Sequence, residues 1–186
     1  KIGSIQTILS NTAHAGTNLE QVNKALDELN LYADKTIYNF ADMTQNIGRF
    51  TTAGVGLEDS VTAIKGLSNL AAVSGSNTNQ AANAMYQLSQ ELANGKVTLQ
   101  GWNSVVNAGM GGKKFQDALI ESGKNIGSMK DETKSFRDSL QDGWLTSEVL
   151  LDTLAKFAED ESMLEAATKV RTYTQMMDTL QEAAGS

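Results

Sequence analysis

Two residue types are missing from this sequence, and a third occurs once. The chain has no cysteine, which excludes disulfide bonds and thiol nucleophiles, and no proline, so no pyrrolidine ring interrupts a helix. Its one histidine, His14, has no cysteine or second histidine with which to share a zinc ion. We therefore expect no metal site and no bound cofactor.

Basic residues are also few. The chain carries 15 lysines and arginines against 22 aspartates and glutamates, a formal net charge of −7. Nucleic-acid binding needs a basic face that neutralises phosphates, and the only adjacent basic pair is Lys113-Lys114. We therefore expect no direct binding to nucleic acid. We also expect no membrane segment, because no run approaches the ~18 apolar residues that a spanning helix needs.

Apolar residues recur three and four positions apart along most of the chain, which is the period of an amphipathic helix. Each apolar stripe needs another helix to cover it. The pattern therefore predicts an all-α fold, a compact domain of roughly six to eight helices of short to medium length. The predicted core is Phe40, Met43, Ile47, Phe50, Val61, Ile64, Leu67, Met85, Leu88, Leu92, Trp102, Val105, Phe115 and Leu119.

Two glycines lie inside these predicted helices. At Gly48 and Gly66, glycine costs ~1 kcal/mol of helix stability relative to alanine. Either this weakness is tolerated, or two helix backbones approach each other closely at these positions. We favour the close approach.

Three segments divide the chain. Residues 1–16 are weakly patterned and are expected to fray. Residues 17–160 form the predicted helical core domain, which opens with a candidate capping box at Thr17–Glu20. Within it, Asp142-Gly143 separates segments of alternating polarity. This predicts a short β-hairpin near 136–146, with one more helical turn around Phe136 as the alternative.

Residues 161–186 form a predicted amphipathic C-terminal helix. Its apolar seam is Met163, Ala166, Val170, Tyr173, Met177, Leu180 and Ala184. About three heptads are the lower limit of a coiled-coil signal. The helix either packs back on its own domain or projects and pairs with other copies as the beginning of a longer rod. We expect packing, and with it a monomeric fragment, because alanine, tyrosine and methionine specify an oligomer poorly.

A glycine-rich stretch, GMGGK from Gly109, is similar to a phosphate-binding loop. It departs from that motif at two positions: Asn107 stands where the first glycine is required, and Lys114 where serine or threonine is required. We interpret the stretch as a tight turn or a hinge at Gly109, Gly111 and Gly112, because glycine raises the entropy of ordering.

Trp102 has two possible roles. It could be a stacking platform for a sugar, beside a carboxylate pair of the kind that cleaves glycosidic bonds. This would make the chain a cell-wall-degrading hydrolase domain. Alternatively it is a core residue, since Val105 and Val106 lie on the same predicted helix face. We favour the core, and we interpret acidic pairs such as Asp27/Glu28 and Asp131/Glu132 as solvated helix faces.

Four stretches of the chain carry a resemblance to a known family. They are MYQLSQELANGKVTLQGWNSVVNAGMGG from Met85, TIYNFADMTQNIGRFTTAGV from Thr36, AIKGLSNLAAVSGSN from Ala63 and FRDSLQDGWLTSEVL from Phe136. In their order and density they resemble the core of tail tape measure proteins of long-tailed bacteriophages and prophages. The resemblance extends from about Leu29 to Phe157.

The resemblance implies a structural protein of the virion tail rather than an enzyme. Tape measure proteins run along the lumen of the tail tube during assembly, and their length sets tail length. They leave the tail ahead of the DNA at infection, and a hinge would let this domain rearrange at that step. The implied partners are tail tube, baseplate and tail chaperone proteins and other copies of the tape measure protein, in the host cytoplasm during assembly.

The chain departs from the family in one respect, since only Met163 to Ala184 has the heptads of the long helical ruler. Some relatives carry peptidoglycan-cutting domains, but no residue set here supports one. A helical adhesin or scaffold would differ from a tape measure domain mainly in genetic context.

Overall fold

The computed structural model describes the backbone of residues 2–185 and the side chains of residues 4–172 and 175–184. This part of the chain contains ten α-helices and no β-strand, so the predicted all-α class is confirmed. The helices are α1 (Ile2–Thr12), α2 (Leu19–Lys35), α3 (Phe40–Thr52), α4 (Leu57–Ser74), α5 (Thr78–Asn94), α6 (Leu99–Asn107), α7 (Lys113–Ile126), α8 (Phe136–Ser139), α9 (Ser147–Glu159) and α10 (Glu161–Gly185).

Asparagine side chains set the first residue of several helices. Asn18 Oδ1 accepts a hydrogen bond from the Gln21 N–H at 2.9 Å, and the Gln21 side chain accepts one from the Asn18 N–H at 2.9 Å. This capping box lies one residue later than the predicted Thr17–Glu20 pair, because Asn18 has the extended backbone of an N-cap residue. Asn77 and Gln80 form the same box at the start of α5.

Helix α4 lies at the centre of the fold, with α2, α3, α5, α9 and α10 packed around it. A Cβ atom at Gly66 would lie 2.1 Å from the carbonyl oxygen of Leu154 in α9, so the two helix backbones touch here. The close approach predicted at Gly66 is confirmed. At Gly48 it is wrong, because the nearest atom to a Cβ there is a side-chain methyl of Thr7, at 4.0 Å.

A buried hydrogen-bond chain joins α2, α4 and α9. Tyr32 Oη donates to Asn69 Oδ1 at 2.6 Å, and Asn69 Nδ2 donates to the carbonyl oxygen of Phe157 at 3.0 Å. Asn69 is fully buried, so these bonds satisfy groups that would otherwise be costly to bury. Burial raises the pKa of the Tyr32 hydroxyl far above its usual range.

The predicted core residues lie in one continuous cluster. All of them except Phe40 are buried, and Phe40 is half-buried at the first turn of α3. The cluster extends from Ile8 in α1 to Ala167 in α10.

The first segment of the chain, which we predicted to fray, is helical over its described residues. Helix α1 packs against α3, and its Ile8 side chain is fully buried. Asn11 Nδ2 also donates to Thr52 Oγ1 at 2.9 Å. The apolar stripe is short, with Ile5 and Leu9 half-buried beside Ile8, and so gives a weak periodic signal.

The predicted β-hairpin near 136–146 is also wrong, and the alternative of a helical turn around Phe136 is correct. Ser135 caps α8, and a 3₁₀ turn, Leu140–Asp142, follows directly. Gly143 ends this turn at φ +73°, a conformation that glycine adopts at little cost. The residues after Gly143 pair with the connection before α6 instead, where the Val97 N–H donates to the Leu145 carbonyl oxygen at 2.8 Å.

The C-terminal helix α10 packs back on the domain over its first part only. Met163 and Ala167 are buried, and α10 contacts α4. Farther along, Met176 and Leu180 are each 60% exposed. The prediction that this helix packs on its own domain is thus correct for the first turns of the seam and wrong for its end. The side chain of Tyr173, which belongs to the predicted seam, lies outside the described residues.

Candidate functional site

The stretch from Met85 to Gly112 is one of the four that carry the resemblance, and it includes Trp102 and the glycine-rich turn. It folds into α5, a short connection, α6 and a glycine-rich turn. Thr98 caps α6, and its Oγ1 accepts from the Gly101 N–H at 3.2 Å. The same hydroxyl donates to Glu91 Oε1 at 2.7 Å, and this oxygen also accepts from the Thr98 N–H at 3.1 Å. A carboxylate of α5 therefore holds the N-terminus of α6.

Glu91 is a buried acid that sequence reasoning missed. It is 7% exposed, and a Cβ at Gly101 would lie 1.7 Å from its Oε1, so a side chain at position 101 would displace the Glu91 carboxylate. The only sequence signal was a charged residue next to Leu92 in an otherwise apolar stripe. This contact joins α5 to the first turn of α6, the helix that carries Trp102.

Trp102 lies in a row of five aromatic rings inside the domain. Its ring centroid lies 5.5 Å from that of Phe115 and 4.6 Å from that of Phe136. Phe157 extends the row beyond Phe115, and Trp144 extends it beyond Phe136, each at 5.8 Å. Trp102 is 2% exposed, so it cannot serve as a stacking platform and is a core residue.

At the end of the row, Trp144 makes a hydrogen bond and packs closely against a glycine. Trp144 Nε1 donates to Ser139 Oγ at 2.9 Å, which satisfies the buried indole N–H. On its other side, a Cβ at Gly123 would lie 2.8 Å from the Trp144 ring. Side chains from α6, α7, α8 and α9 therefore meet in this row, which links the Met85–Gly112 stretch to the rest of the core.

The turn after α6 has the geometry of a Schellman motif. Gly109 has φ +81°, its N–H donates to the Val106 carbonyl oxygen at 2.9 Å, and the Met110 N–H donates to that of Val105 at 3.1 Å. Met110 is fully buried beside Val105, the apolar contact typical of this motif. Val106 is 42% exposed, so its predicted place on the buried face of α6 is wrong.

Further hydrogen bonds join this turn to its neighbours. Ser76 Oγ donates to the Ala108 carbonyl oxygen at 2.7 Å, and Gln116 Nε2 donates to that of Gly111 at 2.8 Å. A Cβ at Gly111 would lie 2.6 Å from Val106 Cγ2, whereas Gly112 has open space around it. The turn therefore bridges the end of α4 and the start of α7.

An open groove of about 660 Å³ lies between α1, α3 and α5. Arg49 lies over the ring of Tyr86, 4.7 Å from its centroid, and its Nη1 donates to Asn46 Oδ1 at 3.0 Å. No aspartate or glutamate is among the described residues that line the groove.

The acidic pairs noted in the sequence have local roles. Glu28 forms an ion pair with Lys65 of α4, and Glu132 forms one with Lys124 at 2.8 Å. Asp131 accepts hydrogen bonds from Thr133, and these lower the pKa of its carboxyl. Across the described residues, no group of three or more His, Cys, Asp or Glu is placed to hold a metal ion. Within the same part of the chain, no helix is long and apolar enough to cross a membrane.

The described residues thus form an all-α domain, and the stretch from Met85 to Gly112 contributes Trp102 to its aromatic core. A family model described as tape measure protein matches residues 3–186. The chain belongs to the tape measure protein family, whose members are structural proteins of phage tails. No curated protein and no solved structure matches the chain.

Proposed function

We propose that this chain is a folded domain of a tail tape measure protein that acts in tail assembly, in setting tail length and in the tail events of genome delivery. The observation that carries the proposal is the family match over residues 3–186, which includes all ten helices except the first residue of α1. The buried aromatic row around Trp102 supports it further, because the stretch that carries the resemblance builds the scaffold of the domain.

We place this domain in the virion tail, and in the host cytoplasm during assembly. Its proposed partners are tail tube, baseplate and tail chaperone proteins and other copies of the tape measure protein. The exposed end of α10 supports such contacts, because Met176 and Leu180 lie there without cover from the domain. Residues 17–160, together with α1, would form the folded unit, and 161–186 would begin the rod.

We also propose that Gly109, Gly111 and Gly112 form a hinge that rearranges when the tape leaves the tail. The turn lies between α6 and α7, which pack against different neighbouring helices. The Ser76 side chain donates to the Ala108 carbonyl oxygen at its start, and the Gln116 side chain donates to the Gly111 carbonyl oxygen at its end. A rearrangement there would break those two side-chain bonds and separate the rings of Trp102 in α6 and Phe115 in α7, whose centroids lie 5.5 Å apart, while the backbone bonds of both helices stay intact.

No observation favours the hydrolase. Trp102, its proposed platform, is buried, and the groove beside Tyr86 has no lining carboxylate among the described residues. The proposed function therefore rests on structural contacts and not on a reaction.

The test is an in-frame deletion of residues 17–160 from the gene in its phage or prophage, followed by electron microscopy of the particles. We expect tails to be absent or abnormal, and expression of the intact gene from a plasmid to restore them. A gene in which Lys113 and Lys114 are both replaced by alanine is a matched control, because both side chains are exposed, and it should give normal tails. Normal tails from the deletion would contradict the proposal.

A further inference from the structure

The junction between α9 and α10 is a break of a single residue. Asp160 has φ −73° and ψ 107°, outside the helical region, while the residues on both sides are helical. No glycine or proline occurs between Ser147 and Ala184, although these are the residues that usually end a helix. No glycine or proline therefore imposes the break, and it depends on side-chain contacts.

The first of these contacts caps the end of α9. In a continuous helix, the carbonyl oxygen of Phe157 would accept the N–H of Glu161, four residues later. Here it accepts Nδ2 of Asn69 at 3.0 Å and, less closely, the Asp160 N–H at 3.4 Å, and Asn69 is fully buried in α4. A side chain of the central helix thus replaces the backbone bond that the break removes.

The second contact caps the start of α10. Asp160 Oδ1 accepts from the Ser162 N–H at 3.0 Å, from Ser162 Oγ at 2.7 Å and from the Met163 N–H at 3.2 Å. The bond from the Ser162 side chain is the main cause that lowers the pKa of the Asp160 carboxyl. Asp160 is thus the N-cap residue of α10, and these bonds form because the helix begins there.

The third contact holds α10 against the end of α2. Arg171 Nη1 donates to the carbonyl oxygens of Thr36 at 2.9 Å and Ala33 at 3.3 Å. Both carbonyls lie at the C-terminus of α2, where a cation is favoured by the helix dipole. Beyond Arg171 the described side chains of α10 are exposed.

We propose that this junction is a latch that holds α10 bent against the domain and that opens to form one helix from Ser147 to Gly185. Asn69, Asp160 and Arg171 close the latch. The closed state also buries Met163 and Ala167, so it is the ground state of the isolated domain. Opening restores the backbone bond from Glu161 to Phe157 and carries the exposed end of α10 away from α2.

The test uses the full chain with two spin labels. The chain has no cysteine, so cysteines introduced at Asp34 and Thr172 are the only thiols. Both positions are exposed, and they lie on either side of the Arg171 contact with α2. Pulsed electron resonance reports the distance between the labels, and the ¹³Cα chemical shift of residue 160 reports whether the backbone there is extended or helical.

The latch variant combines Asp160→Ala with Arg171→Ala. Its matched control combines Glu159→Ala with Lys169→Ala, which removes the same charges from neighbouring exposed positions. We expect the population with a long label distance to rise roughly tenfold or more in the latch variant, because it loses a cap and two hydrogen bonds to carbonyls. The chemical shift of residue 160 should move toward helical values, and the control should match the wild type.

The proposal would be overturned if the latch variant kept the short distance between the labels and the ¹³Cα chemical shift of an extended backbone at residue 160. The break would then be imposed by core packing alone. A long distance with an extended residue 160 would also overturn it, because α10 would then detach without joining α9. The single Asp160→Ala variant retains the Arg171 contact and provides a second measurement if the double variant loses its fold. It should show the same changes to a smaller extent.

Discussion

The contact between α4 and α9 at Gly66 leads to a prediction that helix propensity alone would reverse. Replacing a helical glycine with alanine normally stabilises a protein by ~1 kcal/mol. At Gly66, the new Cβ would lie 2.1 Å from the Leu154 carbonyl oxygen and 2.9 Å from its carbon. Both are backbone atoms, which cannot rotate away, so the two helices would have to move apart by about 1 Å.

Overpacking of this kind costs typically ~1–3 kcal/mol, and a contact between backbones belongs at the upper end. Because alanine also gains ~1 kcal/mol of helix propensity, which offsets part of this cost, we expect Gly66→Ala to lower the free energy of unfolding by roughly 2 kcal/mol. For a chain of this size that is a fall in Tm of about 4–8 °C.

Gly48→Ala is the matched control. It changes the same residue type inside a helix, but its nearest contact is a methyl group at 4.0 Å. We expect it to raise the free energy of unfolding by ~1 kcal/mol. Thermal and urea unfolding followed by circular dichroism would measure both variants. If Gly66→Ala is as stable as Gly48→Ala, the backbone contact between α4 and α9 is not present in the protein.

Three further predictions follow from the core and the glycine-rich turn. Trp102→Ala should destabilise the fold by roughly 3–5 kcal/mol, because a buried aromatic ring is lost, and an unchanged Tm would refute its place in the core. Burial raises the pKa of Tyr32 and Tyr38, so their neutral forms contribute stability below the unfolded value of about 10, and this stability is lost as the pH rises above it. In an absorbance titration, these two tyrosines should ionise only as the chain unfolds, and ionisation of all tyrosines near pH 10 in the native state would contradict this. The amides of residues 107–114 should exchange faster than those of α4, and equally slow exchange would count against the hinge.

Much of the fold could be predicted from the sequence because amphipathic periodicity is a local property. Leu88 and Leu92 mark one face of α5 without reference to any other helix, and so do Ile64 and Leu67 in α4. The role of Gly66 could be suspected for the same reason, since a glycine inside a strong helical pattern needs an explanation.

Features that depend on contacts between distant residues could not be predicted in this way. Glu91 caps α6, but its partner Thr98 belongs to the next helix, and nothing in the spacing shows that the carboxylate is buried. The hairpin prediction at Asp142-Gly143 failed because the same dipeptide ends a 3₁₀ turn when the preceding residues are helical.

The C-terminal seam shows the same limit. Its spacing is regular from Met163 to Ala184, yet only the first turns find a surface on α4. The length of the neighbouring helices decides how much of a uniform apolar stripe is covered. The residues of the stripe do not encode that length.

We propose that this chain is part of a protein that sets tail length, and the length of the assembled tail measures this property. An insertion of about 28 helix-forming residues after Gln181, in the exposed end of α10, should lengthen the tail by roughly 42 Å if the added helix lies along the tube. The same insertion in the loop after Ser128, within the compact domain, should leave the length unchanged. Tails of equal length from both insertions, measured by electron microscopy, would contradict the proposed role in setting tail length.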